Sequence, residues 1–351
     1  MGRTKRPILD ETLKTWIEEF NVDSTKRVYL AALRNFKELL GITDLGNYIK
    51  SNPDVNTDMR KFLKMLNGKP NKTVHAFSAG VKVFFQDHDI EIKENNWRKL
   101  RRRGFIPRAS KAETRDKKPT KEILKKILNY ADIKARSLTL FLISSGCRIG
   151  ETLQLEESDF AFESIPPRVH IRGDITKKGV GERTAYFSYE ARDAIKDWLN
   201  IKNSLNKKTG ENYSSTKVFP FSSNNARFMW NMACDKAGVG QTDKRTGRRI
   251  YHLHGLRKYF RSNIKLDLDI THALMGHSEY LDDAYLRLED EGEIGKAYLR
   301  VMGNVSVYSE TTEALEKAET VEQENKELKR RIGQLETMLL DLKEAVDNLA
   351  S

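Results

Sequence analysis

The 351-residue sequence predicts an α-helical N-terminal domain, a mainly α (α+β) second domain with a small antiparallel sheet, and a C-terminal coiled coil. Three patterns carry that prediction. Apolar residues recur at helical spacing through roughly the first ninety positions, one central segment alternates with a period of two, and the end of the chain repeats every seven residues.

In the first region Leu13, Trp16, Ile17 and Phe20 keep the helical period, as do Val28, Ala32, Phe36, Leu39 and Leu40 after a Ser24 cap. Met59, Phe62, Leu63 and Leu66 form a further stripe, and Val74, Phe77, Val81, Phe84 and Phe85 another. Four or five short helices of this kind close into a small bundle over residues 1–90. From Glu91 to Lys118 the periodicity fades, and 28 residues hold 11 basic and 4 acidic ones. That composition predicts a basic interdomain linker at 91–118. Arg98, Lys99, Arg101, Arg102 and Arg103 would lie along a polyanion, with Trp97 beside them.

Residues 119–308 mix helices with a few strands. Ile123, Ile127, Leu128 and Tyr130 predict one helix, Leu138 to Ile143 predict another, and Arg168 to Arg172 alternate as a short strand. Lys177-Lys178-Gly179-Val180-Gly181 reads as a basic hairpin turn, with Thr184 to Phe187 as the returning strand. Residues 309–351 are a separate element. Val321, Leu328, Leu335, Leu342 and Leu349 take d positions, and Asn325, Ile332, Leu339 and Val346 take a positions. Ile or Val at a with Leu at d favours a parallel two-stranded coiled coil, and one Asn at a fixes its register. The flanking pairs Lys317 with Glu322, Glu324 with Lys329 and Arg331 with Glu336 would all be of opposite sign.

Lys and Arg number 62 against 50 Asp and Glu, a formal charge of +12. The tail from Ser309 to Ser351 holds 6 basic and 11 acidic residues, so everything before it carries +17. An excess of that size favours a polyanionic partner such as double-stranded DNA, because each neutralised phosphate releases condensed counterions. No apolar run approaches the length of a membrane span, and Met1 to Arg6 lead into polar residues, so a cytoplasmic or nucleoid location is expected. Cys147 and Cys234 fit no metal-ligand spacing and are expected to be reduced packing residues.

Breaking a phosphodiester means neutralising a phosphorane that carries extra negative charge, either with metal ions or with fixed cationic side chains. The acidic residues Asp282, Asp283, Glu289 and Asp290 have no partners at matching spacing, so the sequence predicts no metal and no cofactor. Four patches in the second domain offer the cationic solution. In Ser144-Ser145-Gly146-Cys147-Arg148-Ile149-Gly150-Glu151 a helix ends at Gly and restarts, presenting Arg148, whose planar fork suits a phosphate, with Glu151 holding the turn. Lys178, or Lys177 beside it, sits on the basic hairpin. His254 and Arg257 lie one helical turn apart on one face while Leu253, Leu256 and Phe260 anchor the other. Finally Gly276-His277 is followed by Tyr285, one of 12 tyrosines among which composition cannot choose.

In their order and spacing these four patches resemble the tyrosine recombinase (phage integrase) family. The resemblance covers the second domain: the Arg148 and Arg257 segments look like its two arginine boxes, and Gly276-His277 with a following tyrosine looks like its third motif. The helical domain ahead is similar to the family's SAM-like core-binding domain. The resemblance implies a site-specific recombinase or integrase that cleaves and rejoins DNA through a 3′-phosphotyrosine on Tyr285. Arg148, Arg257 and His277 would stabilise the phosphorane, His254 would help deprotonate the tyrosine, and Lys178 would protonate the leaving 5′-oxygen. It also implies a homo-oligomer, a tetramer on paired sites; a dimer through the tail is expected from the heptads alone, since the resemblance carries no role over to that tail. Tyr285 follows His277 by eight residues where the common bacterial pattern has nine, which leaves Tyr280 and Tyr298 as weaker candidates. That spacing and Tyr-Leu-Arg look more like archaeal viral or plasmid integrases. A type IB topoisomerase shares the chemistry but acts as a monomer, which the heptads oppose. A non-catalytic architectural dimer would not need all these polar positions filled.

Overall fold

A computed structural model of the chain describes residues 10–107, 117–176, 182–209, 215–244, 247–276, 291–308 and 327–338. The chain divides into two units, Met1–Arg115 and Asp116–Ser351.

The first unit holds six described helices: α1 (Glu11–Glu18), α2 (Asp23–Leu40), α3 (Leu45–Lys50), α4 (Val55–Met65), α5 (Asn71–Asp87) and α6 (Glu94–Arg102). The apolar stripes of the sequence converge as one core, in which Leu13, Trp16, Phe36, Phe62, Phe84 and Phe85 are sealed from solvent. Asp10 caps α1 by accepting from the Leu13 N–H at 2.8 Å, and the same carboxylate takes Lys37 of α2 at 2.5 Å and the Leu45 N–H of α3 at 3.2 Å. One side chain thus satisfies a helix end and fixes two neighbours. The α2–α5 crossing is close because position 80 is glycine: a Cβ there would lie 2.8 Å from the Tyr29 ring.

The segment expected to be a linker is different. Glu94–Arg102 is a helix, and Ile92, Trp97, Leu100 and Ile106 close the core of the first unit. Trp97 is a packing residue rather than an exposed platform, with Lys82 Nζ 4.8 Å from its ring centre. Two apolar residues three positions apart suffice to seat a short helix when all else on it is polar or charged. Arg98, Lys99, Arg101, Arg102 and Arg103 stay exposed.

The second unit is built round α8 (Ile133–Ser145), which is buried on every side and packs against α7 (Lys121–Asn129), α10 (Tyr189–Thr209), α11 (Ser223–Lys236) and α12 (Leu253–Asn263). A helix apolar all round belongs in the middle of a domain. Its three buried serines satisfy themselves: Ser137 donates to the Lys134 carbonyl at 3.1 Å, and Ser144 and Ser145 donate to the carbonyls of Leu140 and Phe141, each at 2.7 Å. The sheet is three antiparallel strands in the order β1 (Phe160–Ala161), β2 (Arg168–Ile171), β3 (Arg183–Tyr186). Val169 pairs with Ala185 and Ile171 with Arg183, as a hairpin between β2 and β3 requires. β1 has only two residues, too few to leave a periodic signal in the sequence.

A second apolar cluster gathers Tyr186, Phe260, Ile264, Leu274, Met275, Tyr298 and Val305, seating α13 (Leu268–Met275) and α14 (Glu291–Val301) beside α12 and β3. Glu190 on α10 accepts from the Val307 and Tyr308 N–H groups at 2.6 and 2.9 Å and ties down the end of this unit's packed chain. Residues 327–338 are helical, with Leu328, Ile332 and Leu335 of the heptads exposed. Asn325, Leu339, Leu342, Val346 and Leu349 lie outside the described residues. No described helix is long and apolar enough to cross a membrane.

Replacing Trp97 by Ala should cost about 3–5 kcal/mol, as expected for a buried aromatic, whereas Arg101→Ala should stay within about 0.5 kcal/mol. Urea unfolding followed by circular dichroism checks both. A Trp97→Ala protein of wild-type stability would put that side chain outside the core.

Candidate active site

Between α8 and the short helix α9 (Ile149–Thr152) the chain must turn sharply, and Gly146 makes the turn with φ +65. A Cβ there would also run into the Phe260 ring of α12. The turn delivers Arg148 in an extended conformation at the start of α9. Glu151, 2% exposed, folds back on it: Oε2 accepts from the Arg148 N–H at 3.1 Å and Oε1 from Arg148 Nη1 at 2.7 Å. The same carboxylate takes Nη2 of Arg183, the first residue of β3, at 2.7 Å.

The other arms of these arginines meet the end of α13. That helix stops at Gly276, in the left-handed conformation at φ +64, leaving its last carbonyls without helical partners. Three consecutive carbonyls each receive one guanidinium. Arg183 Nε donates to Leu274 at 3.0 Å, Arg257 Nη2 to Met275 at 2.5 Å, and Arg148 Nη2 to Gly276 at 3.2 Å. The second arm of Arg257 donates to the Gly146 carbonyl, closing the ring back onto the α8 turn. A helix C-terminus carries partial negative charge, so it suits three cations. Among the described residues one carboxylate stands against them, so these four side chains carry a net charge of +2.

Residues 116–282 match the phage integrase family. Arg148, His254 and Arg257 fall within that match, and Tyr285 lies three residues beyond it. The fold is shared with solved structures of low identity. A Tn1549 transposon integrase in complex with transposon right end DNA is 16% identical, with a TM-score of 0.54, covering 77% of this chain and 91% of its own. A lambda integrase dimer bound to a COC′ core site is 13% identical, with a TM-score of 0.51, covering 77% of this chain and 94% of its own. No curated protein matches the sequence.

Within the matched segment the structure brings Arg148 and Arg257 to one helix end and places His254 one turn before Arg257 on α12. The two differ in setting. His254 is exposed, its ring nearly parallel to that of His252 with centres 6.3 Å apart, whereas Arg257 is 6% exposed. Burial, reinforced by the nearby charge of Arg148, pulls the Arg257 guanidinium down to about 10. It remains protonated at neutral pH, in a place where an anion would relieve it. Burial likewise pushes the neighbouring Cys147 thiol up, so this cysteine is a packing group. Lys177, Lys178, His277, Tyr280 and Tyr285 lie outside the described residues.

Tyr298, the other tyrosine considered, is structural. It is fully buried, its hydroxyl donates to the Ser144 carbonyl at 2.8 Å, and burial raises it well above the ordinary tyrosine value. Arg183 is the residue the sequence did not single out. Its only signal is a charged side chain opening a strand that otherwise carries no charge, and its partners lie 32 and 91 positions away.

Burial alone would raise the Glu151 carboxyl, but Arg183 and Arg148 outweigh it and hold the group below its ordinary 4.5. A carboxyl lowered on folding contributes stability that is complete above the unfolded value and is lost as pH falls through the folded one. Glu151→Gln should therefore lose stability less steeply below about pH 4.5, while being roughly 3–5 kcal/mol less stable near neutrality, where it leaves two arginines poorly partnered. Thermal melts between acid and neutral pH measure this. Parallel curves for the two proteins would show that Glu151 is not charged in the folded state.

Proposed function

We propose that this protein is a site-specific DNA recombinase, the integrase of a mobile element, that breaks and rejoins strands through a tyrosyl ester. What carries the proposal is the convergence of Arg148 and Arg257 on the end of α13, two positions before His277 in sequence. The phage integrase match and the fold shared with integrases solved on DNA support it.

In this mechanism the Tyr285 hydroxyl attacks the scissile phosphorus and passes its proton towards His254. The bond from phosphorus to the 5′-oxygen breaks, and Lys178, or Lys177 beside it, gives that oxygen its proton. The products are a 3′-phosphotyrosine and a free 5′-hydroxyl. The ester conserves the bond energy, so a 5′-hydroxyl from a second duplex reverses the step and completes the exchange. Arg148, Arg257 and His277 meet the charge that builds on the non-bridging oxygens. Tyr-Leu-Arg eight residues after His277 is the spacing that resembles archaeal viral and plasmid integrases. The exposed basic face of α6 (Arg98, Lys99, Arg101, Arg102, Arg103), with Lys177, would follow the DNA backbone.

The test uses a library of nicked duplexes with a randomised core, from which release of the strand beyond the nick traps covalent complexes. Wild-type protein should yield adducts whose digestion gives a DNA-linked peptide containing Tyr285, and Tyr285→Phe should yield none while still binding duplex. An adduct retained by Tyr285→Phe, or a wild-type protein that forms none, would sink the proposal.

The heptads of the tail give self-association a separate origin. Leu328, Ile332 and Leu335 form an exposed apolar stripe on the helix at 327–338, and pairing with a second copy would cover it. Ending the chain at residue 308 should lower the oligomeric state in sedimentation while leaving adduct formation in place. An unchanged oligomer would remove the coiled coil from the account.

A further inference from the structure

We infer that Arg183 is a positioning residue for strand cleavage, acting through Glu151 and the end of α13 to aim Arg148. This rests on the recombinase reading above. Two contacts carry it. Arg183 Nη2 reaches the Glu151 carboxylate that also grips Arg148 by backbone and side chain, and Arg183 Nε reaches the Leu274 carbonyl, two residues before the Gly276 carbonyl that takes the other arm of Arg148. Arg148 is therefore held at two points, and Arg183 braces both.

The brace is rigid. The Arg183 side chain is 8% exposed and that of Glu151 is 2% exposed, whereas that of Arg148 is 32% exposed and open to a ligand. Arg183 Nη1 is buried with no hydrogen-bond partner among the described residues, and it lies so near Gly276 that a Cβ there would come within 2.7 Å of it. The close fit and the positive φ both require glycine at that position, immediately before His277 in sequence. A planar fork is also the group for the task, since one guanidinium can hold a carboxylate and a carbonyl at fixed angles.

Losing the brace would not remove a phosphate contact. It would free the Glu151–Arg148 pair to shift, and electrostatic stabilisation of a transition state is more sensitive to such a shift than ground-state binding is. Arg183→Met and Arg183→Lys are compared with wild type in the full-length chain, using the duplex recovered by adduct selection. The cleavage rate at saturating DNA, the dissociation constant and the melting temperature are each measured. Arg183→Met should cleave roughly 100-fold more slowly with a dissociation constant within about threefold of wild type. Arg183→Lys, which can hold one partner at a time, should fall between, about tenfold slow. Should the Met variant fail to fold, the Lys variant carries the test alone, as a slowed cleavage step at unchanged affinity. Wild-type cleavage in either folded variant, or a loss of binding equal to the loss of rate, would overturn the inference and leave the recombinase reading intact. Failure of the wild-type protein to cleave is instead a failure of that reading.

Discussion

The second unit is organised by a contest between helix chemistry and charge at one place, the C-terminal turn of α13. A helix must leave its last carbonyls unpaired, and here three in succession, Leu274, Met275 and Gly276, are paired with arginines from β3, α12 and the α8–α9 turn. Elements far apart in sequence are thus anchored by groups that each of them needs satisfied. Among the described residues Glu151 supplies the only carboxylate bonded to this set, and because it is shared by Arg148 and Arg183 its position is over-determined. Gly146 and Gly276, the two left-handed residues at this place, are where the chain must turn tightly beside Phe260 and Arg183 respectively.

The apolar architecture reads as support for that arrangement. α8 is enclosed on all sides, so its C-terminal turn is held in register by the main core, while the second cluster around Tyr186, Phe260, Met275 and Tyr298 grips α12 and α13 from the other side. Tyr298 joins the two, since its buried hydroxyl bonds the Ser144 carbonyl two residues before Gly146. Arginines placed on such frames lose little freedom when a ligand arrives, which is how side chains become preorganised.

How much of this the sequence disclosed follows from range. The stripes at Leu13, Trp16 and Ile17 or at Phe84 and Phe85 are local patterns, and each became part of a core. The turn at Gly146, with Arg148 and Glu151 three residues apart, is local too, and so was legible. α6 looks like solvated linker because five of its nine residues are charged, and the two that matter, Trp97 and Leu100, find their partners only in three dimensions. Arg183 was invisible for the same reason. A charged residue beginning a strand looks like a surface group until Leu274 and Glu151 are brought to it. Short-range periodicity reveals elements, whereas a network whose links beyond the local Arg148–Glu151 pair span 18 to 128 residues leaves no pattern along the chain.

The electrostatics then explain why a site of this kind is kept incomplete. A cluster of three arginines and one glutamate is under-neutralised, and the depression of Arg257 to about 10 by burial and by Arg148 expresses the cost of holding that charge without an anion. Helix-end carbonyls offset part of it without adding a formal negative charge, so a positive field is left over at this place. Another buried carboxylate in their place would stabilise the free protein and blunt that field. Carbonyls also cannot be protonated and do not move when the charge on the substrate rises. In the proposed reaction a scissile phosphate would gain negative charge on passing to a phosphorane, so the same fixed cations would interact more strongly with the transition state than with the bound DNA. On that reading the free energy spent in folding around under-neutralised arginines would be returned at the step where it lowers a barrier.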